Sequence, residues 1–306
     1  MNWSTEFAEV GDGAYAYVQA GGGFCISNAG LIVTEDGPIA IDALFTPSMT
    51  RAFLSEVQRA GTGDVRLLIN THHHVDHTLG NALFDAPVLA HELVRTQMQR
   101  SGFARERLSQ MAPHFAEELS QVSGVRLPTR TFSGQMTLYD RDREIRLIHV
   151  GTAHTVGDTL VYLPQDRLLY AGDVAFHYVT PLAFEGHVGN WIDVLRLIDG
   201  MDVERIVPGH GPVGTKTDLR ELRDYFTLLR AEAKQAHDAG MSADQASREI
   251  YPKLGRFGTW EEAERIYPNV LRLYQEFEGR LAEPLDLQAA SGGMARFVAE
   301  VILPAV

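Results

Sequence analysis

The sequence predicts an α/β protein, and three observations carry that expectation. Short apolar runs recur between residues 13 and 210, each closed by glycine or a polar cluster, as buried strands are. Stretches with apolar residues at helical spacing lie between and after them. At 306 residues and 45% apolar content, the chain is large enough to bury a substantial core.

Residues 13–20 and 29–34 read as strands, the second running into the Glu35-Asp36-Gly37 turn. Residues 38–42 form another apolar run, closed by Asp42. Pro47 and Ser48 open a helix that runs to about Ala60 and stops at Gly61. Residues 65–70 read as a buried strand that delivers Thr71-His72-His73-His74-Val75-Asp76-His77 to its end. A second strand-rich half runs from Arg130 to Pro208. In it, residues 145–150 lead to a small-residue loop with His154, residues 168–173 end on Gly172-Asp173, and residues 205–211 end on Gly209-His210-Gly211. The tail is helical: Leu219, Leu222, Phe226 and Leu229 share one spacing, and Ile266, Val270, Leu273, Tyr274 and Phe277 repeat it. The tail reads as a helical cap on the strand-rich part, with a partner surface or a pocket wall as the functional alternative. No linker separates it, so one domain is expected over 1–306, with a core of about 1–214 and an extension of about 215–306.

Residues 71–77 place four imidazoles and a carboxylate in seven positions. Imidazole nitrogen and carboxylate oxygen are ligands for zinc and similar divalent ions, and a cation resolves the crowding of such groups. On an extended segment His72 and His74 share a face while His73 points away. Asp76 and His77 are adjacent, so the chain must turn for both to reach a metal. Singly, His154, Asp173 and His210 are ordinary turn residues. Together, four strand ends that each present a ligand converge on one rim.

The set His72-x-His74-x-Asp76-His77, His154, Asp173 and His210, preceded by Asp42, resembles the metallo-β-lactamase superfamily of binuclear metallohydrolases. The landmarks fall in family order between residues 42 and 210. The resemblance implies a four-layer αβ/βα sandwich with metal loops along one edge. It further implies that His72, His74 and His154 hold one divalent ion, Asp76, His77 and His210 a second, and that Asp173 bridges them. Zinc is the first expectation, and iron and manganese accept the same donors. Asp42 is expected to fix ligand orientation by accepting hydrogen bonds from the metal loop. An aspartate at 173 matches glyoxalase II-like and lactonase-like members, and the lone Cys25 lies far from any ligand position.

The chemistry implied is hydrolysis. Two ions about 3.5–4 Å apart share a water, bring its pKa towards about 7, and make a bridging hydroxide that attacks a carbonyl carbon. Asp76 is the ligand placed to orient it and move its proton. Residues 174–191 are apolar and aromatic, with His177, Tyr178 and His187 as polar handles, and suit a modest-sized, partly hydrophobic ester, lactone, thioester or amide. Tyr178 is the candidate to assist an oxyanion or leaving group, and Phe45 the candidate for an opposite wall. The alternatives are a mononuclear iron dioxygenase of the persulfide-oxidising type, a β-lactamase, and a non-catalytic metal scaffold. Structural zinc sites are usually closed and often rich in cysteine, unlike this set.

Composition narrows the partners. With 27 basic against 40 acidic residues, net charge −13, and three lysines, the chain lacks the cationic surface that nucleic acids require. One cysteine excludes an intramolecular disulfide. Residues 1–10 show no basic start or apolar core of a signal peptide, and no apolar run approaches the ~20 residues of a membrane span. The expected partner is a small-molecule substrate, the expected location cytoplasmic, and the tail helices leave room for a homo-oligomer interface.

Overall fold

The computed structural model describes residues 3–303, so the two ends of the expected 1–306 span, including Met1 and Asn2, lie outside the described residues. Twelve strands form two sheets. The first contains β1 (Glu6–Gly11), β2 (Ala14–Val18), β3 (Ala29–Ile32), β4 (Ile39–Ile41), β5 (Leu67–Ile69), β6 (Val88–His91) and β7 (Arg130–Phe132), in that order. The second contains β8 (Gln135–Asp140), β9 (Arg143–His149), β10 (Thr159–Leu163), β11 (Leu168–Phe176) and β12 (Arg205–His210), also in sequence order. Neighbours are antiparallel through β4 and from β8 to β11, and parallel from β4 to β7 and between β11 and β12.

Parallel neighbours need crossover connections, and helices supply several of them. Helix α1 (Pro47–Arg59) links β4 to β5, and the short α2 (Val75–Thr78) lies between β5 and β6. After β6 come α3 (Glu92–Ser101), α4 (Arg105–Met111) and α5 (Ala116–Ser120). Helix α6 (Val188–Gly200) links β11 to β12, and the chain ends in α7 (Lys216–Asp238), α8 (Ala243–Ile250), α9 (Ile266–Phe277) and α10 (Leu287–Phe297).

Alternation along each strand sorts the side chains into layers. On β3, Ile32 packs between the sheets while Ala29 and Leu31 face Phe53 and Val57 of α1. On β11, Leu168 and Tyr170 point inward, whereas Leu169 and Ala171 face outward in the cluster with Trp191 and Leu195 of α6 and Leu222 and Phe226 of α7. Helix, sheet, sheet, helix is therefore the layer order, the αβ/βα sandwich expected from the family resemblance. Gly30 has no side chain because Tyr170 occupies that space, its hydroxyl donating to Tyr15 O at 3.0 Å across the sheets.

Three boundaries differ from the sequence expectation. The strand read as ending at Asp173 continues to Phe176, because register breaks around Gly172 let it bend and still pair with β12. Residues 130–132 join the first sheet, whereas pattern alone grouped them with the second half. Helix α7 extends to Asp238, secured at its start by a capping box between Thr215 and Asp218, a device worth about 1 kcal/mol.

Candidate metal centre

The carboxyl ends of β4, β5 and β12, the β9–β10 loop and the bend of β11 meet along one edge of the sandwich. In parallel segments this is where ligands bind. His74 is the last extended residue after β5, with φ −63° and ψ 149°, and α2 begins at Val75. That helical turn brings Asp76 and His77 round to the same edge, as their adjacency demanded. One ligand atom from each of His72, His74, His154 and Asp173 lies within 4.8 Å of the others, and the same holds for Asp76, His77 and His210.

Asp173 faces both groups. Its Oδ1 stands 3.0 Å from His77 Nε2, and its Oδ2 stands 3.2 Å from His154 Nε2 and 3.5 Å from His210 Nε2. Asp76 Oδ2 lies 3.3 Å from His210 Nε2. Gly209 permits this approach, since a Cβ there would run into Asp173 Oδ1.

The rings are held from behind. Asp42, at φ 59°, accepts from Thr71 N at 2.8 Å and Thr71 Oγ1 at 2.7 Å, and its Oδ2 lies 2.9 Å from His77 Nδ1. His72 Nδ1 sits 3.1 Å from Thr71 Oγ1, and His210 Nδ1 sits 3.0 Å from Gly22 O. Each of these rings thus turns Nε2 towards the centre; the buried Nε2 of His72 has no hydrogen-bond partner among the described residues, and His77 Nε2 and Asp173 Oδ1, though 3.0 Å apart, do not meet in hydrogen-bonding geometry. Buried polar atoms are normally satisfied. Inward-facing lone pairs with anchored outer nitrogens are the arrangement a cation requires, so the donor set fits a metal.

Charge agrees with this. Burial raises the Asp173 carboxyl, but the surrounding His77, His210, His72 and His154 rings hold it well below the usual carboxylate range. Burial likewise raises Asp76, yet His77 and His210 bring it to about 2. Burial and the His77 ring push His72 well below its ordinary value, and burial also lowers His154. His77 and His210 move the other way, because Asp173 and then Asp76 outweigh burial, taking His210 to about 9. A divalent cation displaces protons from such groups when it binds.

The centre opens into a cavity of about 320 Å³, lined by Asp76, Phe176, Phe184 and, from the tail, Leu287, Ala290 and Met294. A wider space of about 1180 Å³ continues outward beneath α4 and α10. Arg107 of α4 lines both and, among the described residues, forms no ion pair.

Several expected wall residues are elsewhere. Phe45 is fully buried with Leu79 and Cys25, and it packs edge-on to Phe115. Tyr178 is not brought to the centre: its hydroxyl donates to Asp218 Oδ1 at 2.8 Å, and it does not line the cavity. His177 turns Nδ1 to Pro212 O, and His187 caps α6 by accepting from Asn190 N. His73 meets Glu185, with Nε2 3.1 Å from Oε2.

Sequence reasoning passed over two supporting residues. Asp158 accepts from the backbone N–H groups of Ala153, His154 and Thr155 at 2.7–3.2 Å and shapes the His154 loop. Its signal was present, an aspartate after Thr155 and Gly157 in a tight turn. Asn28 donates to Pro208 O and Gly211 O and steadies the His210 turn, with no local pattern to announce it.

Comparison with known proteins agrees with the geometry. Residues 22–210, more than half of the chain, match the profile of the family described as the metallo-beta-lactamase superfamily. The chain belongs to that superfamily. A Nocardioides sp. (strain JS1661) protein named 2,4-dinitroanisole O-demethylase subunit alpha is 32% identical over 212 residues, which cover 67% of this chain and 58% of that relative. The chain therefore spans less than two thirds of that relative's length. A metallo-beta-lactamase type 2 from Bacillus sp. (strain 170) is 24% identical over 201 residues, 62% of this chain and 68% of that protein. A solved metallo-beta-lactamase from Pontibacter korlensis superposes with a TM-score of 0.54 at 19% identity, over 72% of this chain and 98% of that one. This last likeness speaks for the fold. Members of this superfamily are in general metal-dependent hydrolases or oxidoreductases, and the histidine–aspartate cluster supports metal binding in this one. No described helix is long and apolar enough to cross a membrane.

Proposed function

We propose that the protein is a dinuclear metal-dependent hydrolase of a small, partly hydrophobic substrate. His72, His74 and His154 would hold one ion, Asp76, His77 and His210 the other, and Asp173 both. The observation that carries this reading is the position of Asp173 between the two groups, with Oδ1 3.0 Å from His77 Nε2 and Oδ2 3.2 Å from His154 Nε2 and 3.5 Å from His210 Nε2. When bound, the ions supply Lewis acidity and a nucleophile at neutral pH, and zinc is the first choice. Asp76 lines the cavity and is the carboxylate placed to hold the proton that water gives up. Phe176, Phe184, Met294 and Leu287 exclude water around the reacting bond and favour an apolar or planar group. Arg107, at the mouth, suits a negative charge on the substrate or the leaving group.

The scissile group is an ester, lactone, thioester or amide. The relative named for O-demethylation of 2,4-dinitroanisole adds activated aromatic ethers, and the relative named metallo-beta-lactamase adds β-lactams. The deciding experiment is elemental analysis of protein purified without added metal, beside His154→Ala and Asp173→Ala. About two zinc ions per chain, falling in both variants, is the expected result, followed by turnover in a panel of these substrates. About one iron per chain would overturn the assignment and point to oxygen-dependent sulfur chemistry.

A further inference from the structure

His74 is oriented differently from the other rings of the centre. His72, His77 and His210 anchor Nδ1 on Thr71, Asp42 and Gly22 and turn Nε2 inward. His74 is reversed: its Nδ1 lies 2.9 Å from His154 Nε2, so Nε2 points out of the cluster. That outer nitrogen is buried and has no hydrogen-bond partner among the described residues. The carboxylate facing it belongs to Glu185, with Oε2 3.7 Å from His74 Nε2 and 3.1 Å from His73 Nε2. The preceding residue, Phe184, lies flat against the His74 ring, centroids 5.2 Å apart and planes 14° apart. Two consecutive residues therefore bracket one imidazole, one on its face and one at its outer edge.

The loop that carries them is fixed by the C-terminal extension. Arg265, the N-cap of α9, and Asn269 and Arg272 within it sit at i, i+4 and i+7, so they share one helical face. Arg265 Nη1 donates to Thr180 O at 2.9 Å, and Asn269 Nδ2 donates to Pro181 O at 2.8 Å. Asn269 Oδ1 accepts from Ala183 N at 2.8 Å. Arg272 donates to Gly186 O at 2.7 Å and Glu185 O at 3.1 Å. All three side chains are buried, and burying them is tolerable because loop carbonyls and an amide satisfy them.

We propose that Glu185, braced by His73 and Phe184, is a positioning residue for His74, and that α9 acts on the metal centre through this loop. A carboxylate at the Nε2 edge favours the tautomer with hydrogen on Nε2, which leaves the Nδ1 lone pair directed at the centre. Metal-binding histidines usually direct their other ring N–H at a carboxylate or carbonyl; at 3.7 Å the Glu185 carboxylate acts on His74 as a facing charge rather than as a hydrogen-bond partner. The inference assigns His73 a task, to hold Glu185, and gives the tail a role in metal affinity as well as in covering the sandwich. It rests on the metal-binding reading above.

The test is chelator competition on the whole zinc-loaded chain, comparing wild type with Glu185→Ala and Glu185→Gln, each checked for native circular dichroism. Glu185→Ala should weaken one ion by about 10–100-fold, the usual effect of losing such a partner. Glu185→Gln, which keeps an acceptor without the charge, should fall between Ala and wild type. Wild-type affinity for every ion in a folded Glu185→Ala protein overturns the proposal. If that variant does not fold, wild-type affinity in Glu185→Gln overturns it instead. A wild type that holds only one ion overturns the dinuclear reading, while weaker binding of that ion in the variants still supports the role of Glu185.

Discussion

The rim and the roof of the cavity come from different parts of the chain and are held in different ways. The rim is made of strand ends, and its ligand candidates are anchored by short contacts to Asp42, Thr71, Asp158 and Gly22. The roof is made of α4 and α10, whose Leu108 and Phe297 pack into apolar clusters, and it contributes Arg107, Ser291 and Met294 to the cavity. In the proposed hydrolase, chemistry that needs sub-ångström placement would sit on the hydrogen-bonded rim, and substrate fit would be left to the roof helices. This division predicts that rim substitutions change metal binding and turnover together, and that roof substitutions change substrate preference alone.

The largest expected effect is at Asp173, where one side chain serves both groups. Asp173→Ala should lower metal content and cut kcat/KM by at least 100-fold, checked by elemental analysis and steady-state kinetics. Loss of turnover with full metal content would place Asp173 outside the ligand set. Next is Asp42→Asn, which tolerates the positive φ but turns an acceptor that faces Thr71 Oγ1 and His77 Nδ1 into a donor. About 10-fold weaker metal binding is expected, at the lower end for such partners, read by chelator competition. On the roof, Ser291→Trp fills space that both parts of the cavity share. Its KM should rise about tenfold, ~1.4 kcal/mol, with metal content unchanged. A fall in metal content would break the division between rim and roof.

The same contrast explains what the sequence disclosed. Metal ligands are chosen from few residue types and must arrive at strand ends, so His72, His74, Asp76, His77, His154, Asp173 and His210 stand out in the chain as a spaced set. The structure brings all seven together. The roof obeys only the general rule that apolar residues are buried, and Leu287, Ala290 and Met294 look like any amphipathic helix. The aromatic segment after Asp173 was legible in part: Phe176 and Phe184 reach the cavity, whereas Trp191 packs against Phe226 with ring centroids 4.7 Å apart. Glu185 carries no local mark, because its partner His74 is more than a hundred residues away in sequence.

Tyr178 gives the smallest predicted effect and the sharpest test of where the rim ends. Its hydroxyl donates to Asp218, the residue that also closes the capping box of α7. That hydrogen bond, then burial, raises the Tyr178 pKa to about 12, against about 10 for a tyrosine in an unfolded chain. A group raised on folding contributes stability that is complete below its unfolded pKa. The Tyr178 contribution should therefore hold up to about pH 10 and be lost between about pH 10 and 12. Tyr178→Phe should cost about 1 kcal/mol at neutral pH and flatten this alkaline loss, measured by urea unfolding across the pH range. Metal content and kcat should stay within about twofold of wild type, an energy difference below ~0.5 kcal/mol. A large loss of kcat with unchanged stability would mean that the hydroxyl reaches the reacting bond, and the rim would then extend to this side of the α7 cap.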